Sequence, residues 1–332
     1  MERGESLMEK RKLGFGGPEV PVVCLGGNVY GWTLPEPETF RQLHAALDVG
    51  LNFVDTADVY SRWAPGNKGG ESETIIGNWF AKTGKRKDVI LATKVGMEMS
   101  EGKMGLNAAY IRQAVEQSLQ RLQTDYIDIY QAHKDDSETP LEETLGAFDE
   151  LVKQGKVRYI GASNYSGARL AKALETSRKH GYASYISLQP HYNLVERRDY
   201  ESDLLPVVEK YQLGVIPYFS LAAGFLTGKY RSQQDTEKAA RGSMVQKYLN
   251  DWGFAVVAAL DEVANAHGST PARVALAWLL AQPGITAPIA SATNEKQLVD
   301  LAEAAKLKLD AESIQRLNKV SARENAAEAL AG

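Results

Sequence analysis

The sequence predicts an α/β fold of the (β/α)8 TIM-barrel kind, with a β-hairpin before the first strand and extra helices after the last. Three observations carry this. Short β-branched runs alternate with longer stretches of helical period from residue 21 to about 290, the pattern of repeated βα units around a parallel sheet. Eight such runs can be found. Almost every one ends in a polar residue, as expected if the carboxyl-terminal strand ends share one functional face.

In chain order, "RKLGFGGPEVPVV" alternates weakly around a Gly-Gly-Pro turn and is expected to form a hairpin under the barrel. The strands are "VPVVCLG", "LNFVD", "DVILATK", "DYIDIYQAH", "VRYIGASN", "YISLQ", "GVIPYFS" and "ITAPIAS". Helices are expected between them. In "AAYIRQAVEQSLQRL", Ile111, Val115, Leu119 and Leu122 recur at helical spacing, and "LEETLGAFDELVKQG" is closed by Gly155. The polar strand ends are Asp55, Lys94, His133, Ser163 with Asn164, Gln189, Ser220 and Ser291.

The chain has 332 residues, 44% of them hydrophobic, enough for a full barrel core. Its 12 prolines and 29 glycines are scattered, with no Ser/Gly linker to divide it. Residues 1–8 are therefore read as a flexible extension and 9–332 as a single domain. A formal charge of -4 gives no footprint for nucleic acid, and Lys85-Arg86-Lys87 is read as a solvated turn. No apolar run of membrane-spanning length appears, and "MERGESLMEKRK" lacks the core of a signal peptide. Cys24 is the only cysteine, which suits a reducing, cytoplasmic setting.

Asp55, Tyr60, Lys94 and His133 bring a carboxylate, a phenol, an amine and an imidazole from three successive strand ends. A phenol titrates too high for an efficient acid at neutral pH, and an adjacent ammonium stabilises its anion. Lys94 is expected to do this for Tyr60. Asp55 would hold Lys94 charged, and a neutral His133 would donate a hydrogen bond to an oxygen gaining negative charge. Such a group moves protons; reduction needs a bound hydride donor.

The motifs "GLNFVDTADVY", "LATKVG", "YIDIYQAH", "IGASN", "SLQPHYNLV" and "YFSLAAGFLTGKY" together resemble those of the aldo/keto reductases, in order from about residue 9 to 305. The resemblance implies NADPH-dependent, reversible reduction of an aldehyde or ketone, with NADH less favoured. It makes Tyr60 the general acid, Lys94 the group that lowers its pKa, Asp55 the residue that fixes Lys94, and His133 the one that orients the carbonyl. It assigns Ser163, Asn164 and Gln189 to the nicotinamide carboxamide and Tyr218 to stacking on the ring. Gly27, Asn28 and Asp55 would also border the cofactor. Ser220, Leu221, Gly224 and Lys229 fall on the segment covering the pyrophosphate. In "SATNEKQLVDL", Ser291, Thr293, Gln297 and Asp300 would flank the adenosine end. Ser291 and Leu301 stand where the family usually has glycine and asparagine, and Ala223 where a polar residue is frequent.

"GNKGGESE" lacks the spacing and preceding strand of a phosphate-binding loop. Instead Ser72 and Glu73 resemble the family's second barrel helix start, where they would cap it. Trp32 and Trp63 would line a substrate pocket, with simple packing as the alternative. "GKYRSQQDTEKAARGSMVQKY" is a long basic segment suited to closing over an anion. Its Arg241 resembles the residue that contacts the 2′-phosphate in some members, and a solvated loop stays the alternative. His180, His191 and His267 show no metal-ligand spacing, so no metal is expected. Tyr126 and Tyr130 are read as packing residues. The expected partner is a small carbonyl or alcohol. Two other readings stand beside this one: a cofactor-binding, redox-sensing subunit, and an aldolase using Lys94 as a Schiff-base nucleophile.

Overall fold

The computed structural model describes residues 8–237 and 241–322, so the expected extension lies outside the described residues except for Met8. Strands β1 (Lys10–Lys12) and β2 (Glu19–Pro21) form the antiparallel hairpin. Eight parallel strands follow: β3 (Cys24–Gly26), β4 (Phe53–Asp55), β5 (Ile90–Val95), β6 (Ile127–Ala132), β7 (Val157–Ser163), β8 (Tyr185–Gln189), β9 (Gly214–Val215) and β10 (Ile289–Ala290). Their order is β10-β3-β4-β5-β6-β7-β8-β9. Residues 285–290 close the ring. The amides of Thr286 and Ala287 donate to the Val215 carbonyl at 2.8 and 3.2 Å, and the Cys24 amide donates to the Pro288 carbonyl at 3.1 Å.

Three runs are shorter than the sequence suggests by four residues or more, and proline accounts for each. Val20 and Pro21 belong to the hairpin strand, while Pro217 and Pro288 lack the N–H that a continued ladder needs.

Leu13 and Val20 of the hairpin are buried with Cys24, Phe53, Ala92, Ile129, Ile216, Ala287 and Ile289 in one apolar cluster. The hairpin is thus a plug for the barrel's interior. Gly14 makes the fit possible: its φ is +70°, and a Cβ there would sit 2.0 Å from the Ile186 carbonyl oxygen.

The helices are α1 (Glu36–Asp48), α2 (Glu71–Thr83), α3 (Ala108–Leu122), α4 (Leu141–Lys153), α5 (Gly167–His180), α6 (Leu205–Tyr211), α7 (Gly242–Val245), α8 (Asp251–Ala266), α9 (Pro271–Leu280), α10 (Glu295–Ala304) and α11 (Ala311–Ser321). α3 starts where Asn107 accepts a hydrogen bond from the Tyr110 amide, and it buries Ile111, Val115, Leu119 and Leu122 as their spacing predicts. After the last strand, α10 and then α11 complete the chain's helical layer. No helix among the described residues is long and apolar enough to cross a membrane.

Two expectations need correction. Ser72 and Glu73 do not cap α2, whose N-cap is Gly70 at φ 89°. Both side chains turn into the core: Ser72 donates to the Gly27 carbonyl at 2.8 Å, and Glu73 accepts from Thr93 at 2.6 Å and Arg121 at 2.7 Å. Arg86 is likewise no solvated turn residue. It bonds Asp128 at 2.8 Å, and its guanidinium and that of Arg158 lie 3.9 and 4.0 Å from the Tyr126 ring centroid. A charged group so placed gains both the carboxylate and the ring quadrupole.

Candidate active site

β4, β5 and β6 end side by side, so their last residues converge. Asp55 is the final residue of β4, and a turn in which the Tyr60 amide donates to the Ala57 carbonyl at 3.2 Å brings the phenol back over the strand end. Lys94 reaches the same point from β5. Its Nζ donates to Asp55 Oδ2 at 2.7 Å, to the Thr56 carbonyl at 2.8 Å and to Tyr60 Oη at 2.8 Å. Those three bonds use every proton of an ammonium.

The Tyr60 hydroxyl lies 3.3 Å from Asp55 Oδ2, well beyond the roughly 2.5–2.7 Å usual for O–H to carboxylate. Its proton is held loosely. Burial, and then the Asp55 carboxylate, push the Tyr60 phenol well above its usual range, so it is protonated at neutral pH. Lys94 stands where it can stabilise the phenolate, but burial and Asp55 set the net direction upward. Burial also lowers Lys94, with Asp55 opposing.

His133 follows β6, and its ring stands 6.0 Å from that of Tyr60 at 73°. Burial, with Lys94 and Lys134 adding repulsion, holds it well below the ordinary histidine range. The imidazole is neutral, and its Nδ1 has no hydrogen-bond partner among the described residues. Trp63 meets Tyr60 edge-on at 5.9 Å and Trp32 at 5.7 Å, so the two indoles form a wall beside the phenol.

Gln131 was missed by the sequence reading. Its Nε2 donates to Asp55 Oδ1 at 3.2 Å, and Gln189 Nε2 donates to the same oxygen at 2.9 Å. Strand alternation could have found it, because Gln131 shares a face with Ile129, which lies in the barrel's interior cluster. The Nε2 of Gln189 thus donates to both Asp55 Oδ1 and Gln131 Oε1.

Ser163 donates to the Gln189 carbonyl at 2.8 Å. Asn164 donates to Ser163 Oγ at 3.0 Å and to the His133 carbonyl at 2.8 Å, and it accepts from Tyr218 Oη at 2.8 Å. These residues form one connected group. Ser220 turns inward to the Pro217 carbonyl at 3.0 Å. Phe219, Ala222 and Ala223 have φ of 52°, 47° and 55°, left-handed values costly for side-chain-bearing residues and often found at functional sites. Leu221 lies within this bend, between Phe219 and Ala222, and Lys229 folds back over Gly224, where a Cβ would come 3.0 Å from Nζ.

At the barrel's closing edge Ser291 Oγ lies 2.6 Å from Asn28 Oδ1. A Cβ on Gly26 would approach Ser291 Oγ to 2.6 Å, and one on Gly27 would approach the Asp55 carbonyl oxygen to 3.0 Å. Gln297 Oε1 accepts from the Thr293 amide and hydroxyl at 2.8 and 3.1 Å. Asp300 is paired with Arg273 at 2.7 Å, a cation the sequence reading also missed. The two residues lie on different helices 27 positions apart, and no local pattern links them. Arg241 lies with its guanidinium 5.4 Å from the Trp32 ring centroid and has no carboxylate partner among the described residues.

Residues 22–322 match the model of the aldo/keto reductase family. The chain is 38% identical over 321 residues to the uncharacterized oxidoreductase YrpG of Bacillus subtilis, covering 94% of this chain and 96% of that protein. It is 33% identical to the aldo-keto reductase yakc [NADP(+)] of Schizosaccharomyces pombe, covering 92% and 89%. A probable voltage-gated potassium channel subunit beta of Oryza sativa is 32% identical, covering 88% and 90%.

Proposed function

The chain belongs to the aldo/keto reductase family, and from that premise we propose that it reversibly reduces an aldehyde or ketone with NADPH as the hydride donor. The observation that carries the reading is the Lys94 ammonium, bonded at once to Asp55, the Thr56 carbonyl and Tyr60. NADPH supplies, when bound, the hydride that no side chain here can give. The donor set suits such a molecule. Hydroxyls and amides of Ser163, Asn164 and Gln189 would take the carboxamide beside Tyr218. The ammonium of Lys229, with Ser220, Leu221 and Gly224, would meet the pyrophosphate. Ser291, Thr293, Gln297 and Asp300 would border the adenosine end, with Gly27 and Asn28 alongside and Arg241 for the 2′-phosphate.

As the substrate oxygen gains negative charge, Tyr60 donates its proton there, and the Lys94 ammonium stabilises the phenolate left behind. Asp55 holds that ammonium charged and aimed, while Gln131 and Gln189 hold Asp55. Neutral His133 offers an N–H to the same oxygen. Trp32 and Trp63 shield the reacting centre from water. In the reverse direction the same groups take the proton from an alcohol.

A Schiff-base role would require a free electron pair on Lys94, and three acceptors at 2.7–2.8 Å favour its ammonium form instead. The likeness to a channel subunit favours a redox-sensing role as the second reading. A panel of aldehydes and ketones with NADPH and NADH, followed by loss of reduced-cofactor absorbance, separates them. Turnover supports the reductase; tight NADPH binding with no turnover across the panel supports the sensor. Since Cys24 is free and buried, we read the setting as cytoplasmic.

A further inference from the structure

Beyond the ends of β8 and β9 the chain keeps one more parallel bridge, His191 opposite Tyr218. The Tyr218 amide donates to the Pro190 carbonyl at 2.9 Å. Residues paired in this way point their side chains to one side of the sheet. Their rings accordingly stack, with centroids 5.2 Å apart and planes 16° from parallel. Phe219 meets both rings edge-on, at 5.5 Å from His191 and 5.3 Å from Tyr218. Its left-handed backbone is held by Asn193, which donates to the Phe219 carbonyl at 2.9 Å. Tyr218 is therefore fixed at its hydroxyl by Asn164, on one face by His191 and along one edge by Phe219. Among the described residues it makes no other ring contact.

We infer that His191 is a positioning residue of the cofactor site: by covering one face of Tyr218 it fixes that ring's plane and leaves the opposite face to the nicotinamide. This rests on the proposed reading of Tyr218 as the nicotinamide's stacking partner. The imidazole acts here as a flat surface and not as a hydrogen-bonding group, since its Nε2 is buried without a partner among the described residues. Burial lowers its pKa, with Lys247 acting in the same direction and Glu196 and Asp199 opposing, so the ring is uncharged at neutral pH. A neutral ring stacks on a phenol without bringing a charge out of water.

The test compares wild type, His191→Leu and His191→Phe. Leucine keeps the bulk and loses the planar face; phenylalanine keeps the face. Each is titrated with NADPH and with adenosine 2′,5′-bisphosphate, which has no nicotinamide. The expected result is that His191→Leu weakens NADPH by about three- to ten-fold, the range for an aromatic stacking contact. The bisphosphate should change by less than about two-fold, and His191→Phe should restore most of the NADPH affinity. Equal weakening of both ligands, unaltered NADPH binding in the leucine variant, or failure of phenylalanine to restore it would each overturn the inference. Wild-type protein that binds the bisphosphate but gains nothing from the nicotinamide would overturn the reductase reading as well, and this is seen before any variant is compared.

Discussion

Gln189 reaches from the end of β8 to donate a hydrogen bond to Asp55 at the end of β4, 2.9 Å away across the mouth of the barrel. Gln131 donates to the same carboxylate oxygen from β6. Asp55 thus has one oxygen for the amides and the other for Lys94. Gln131→Leu should leave the fold intact while removing one of these bonds, costing on the order of 1 kcal/mol in stability. Turnover should fall several-fold as Asp55 and Lys94 loosen. Denaturant midpoints and steady-state rates check this, and unchanged values of both would show that Gln131 only fills space.

Lys94→Met should cripple turnover, because the phenolate formed by proton donation loses its only cationic neighbour within hydrogen-bond distance among the described residues. Any residual activity should have its pH profile displaced upward, since an unpaired phenolate is harder to form. A pH–rate profile overlying that of wild type would contradict the coupling.

Asp58 is buried next to the site with neither carboxylate oxygen partnered among the described residues. Burial, and then the Glu73 carboxylate, raise its pKa to about 8. The unfolded chain releases that proton near pH 4, so between about pH 4 and 8 the folded state binds a proton that the unfolded state does not. Stability from this group is complete below that window and is lost as pH rises through it. Asp58→Asn should therefore stabilise the protein little near pH 4 and progressively more up to pH 8, by on the order of 1 kcal/mol for each pH unit between them. Melting curves across that range test it; a constant difference would contradict the assignment.

Arg241→Ala should weaken NADPH by about 1.5–3 kcal/mol, the worth of a charge-assisted hydrogen bond, and hardly affect NADH. In the structure this guanidinium lies over Trp32 and carries no paired carboxylate among the described residues, while Asp300 is neutralised by Arg273. A free cation is thus available, and Asp300 at the proposed adenosine end is already paired. Equal losses for both cofactors would mean that Arg241 only closes the covering segment.

Much of the fold was legible because almost every strand is a short buried run with a polar residue at or just beyond its end, and the alternation with helices left one economical topology. That Asp55, Tyr60, Lys94 and His133 lie together was legible for the same reason, as Asp55, Lys94 and His133 are strand-end residues and Tyr60 follows by one turn. What the sequence hid depends on contacts between distant segments. Arg273 gives no local sign that it meets Asp300, and Asp58 looks like any loop aspartate until its burial is seen. Ser72 and Glu73 have the composition of a helix cap, yet the pull of the Gly27 carbonyl, Thr93 and Arg121 takes them inward. The phenol's high pKa follows from burial and from Asp55, which a list of neighbouring charges underweights.

The most direct measurement is carbonyl reduction by Tyr60→Phe alongside its affinity for NADPH. Removing one hydroxyl takes away the proposed proton and none of the proposed cofactor contacts. Abolished turnover with nearly wild-type NADPH binding is the predicted result; a variant that retains most of its turnover would contradict Tyr60 as the acid.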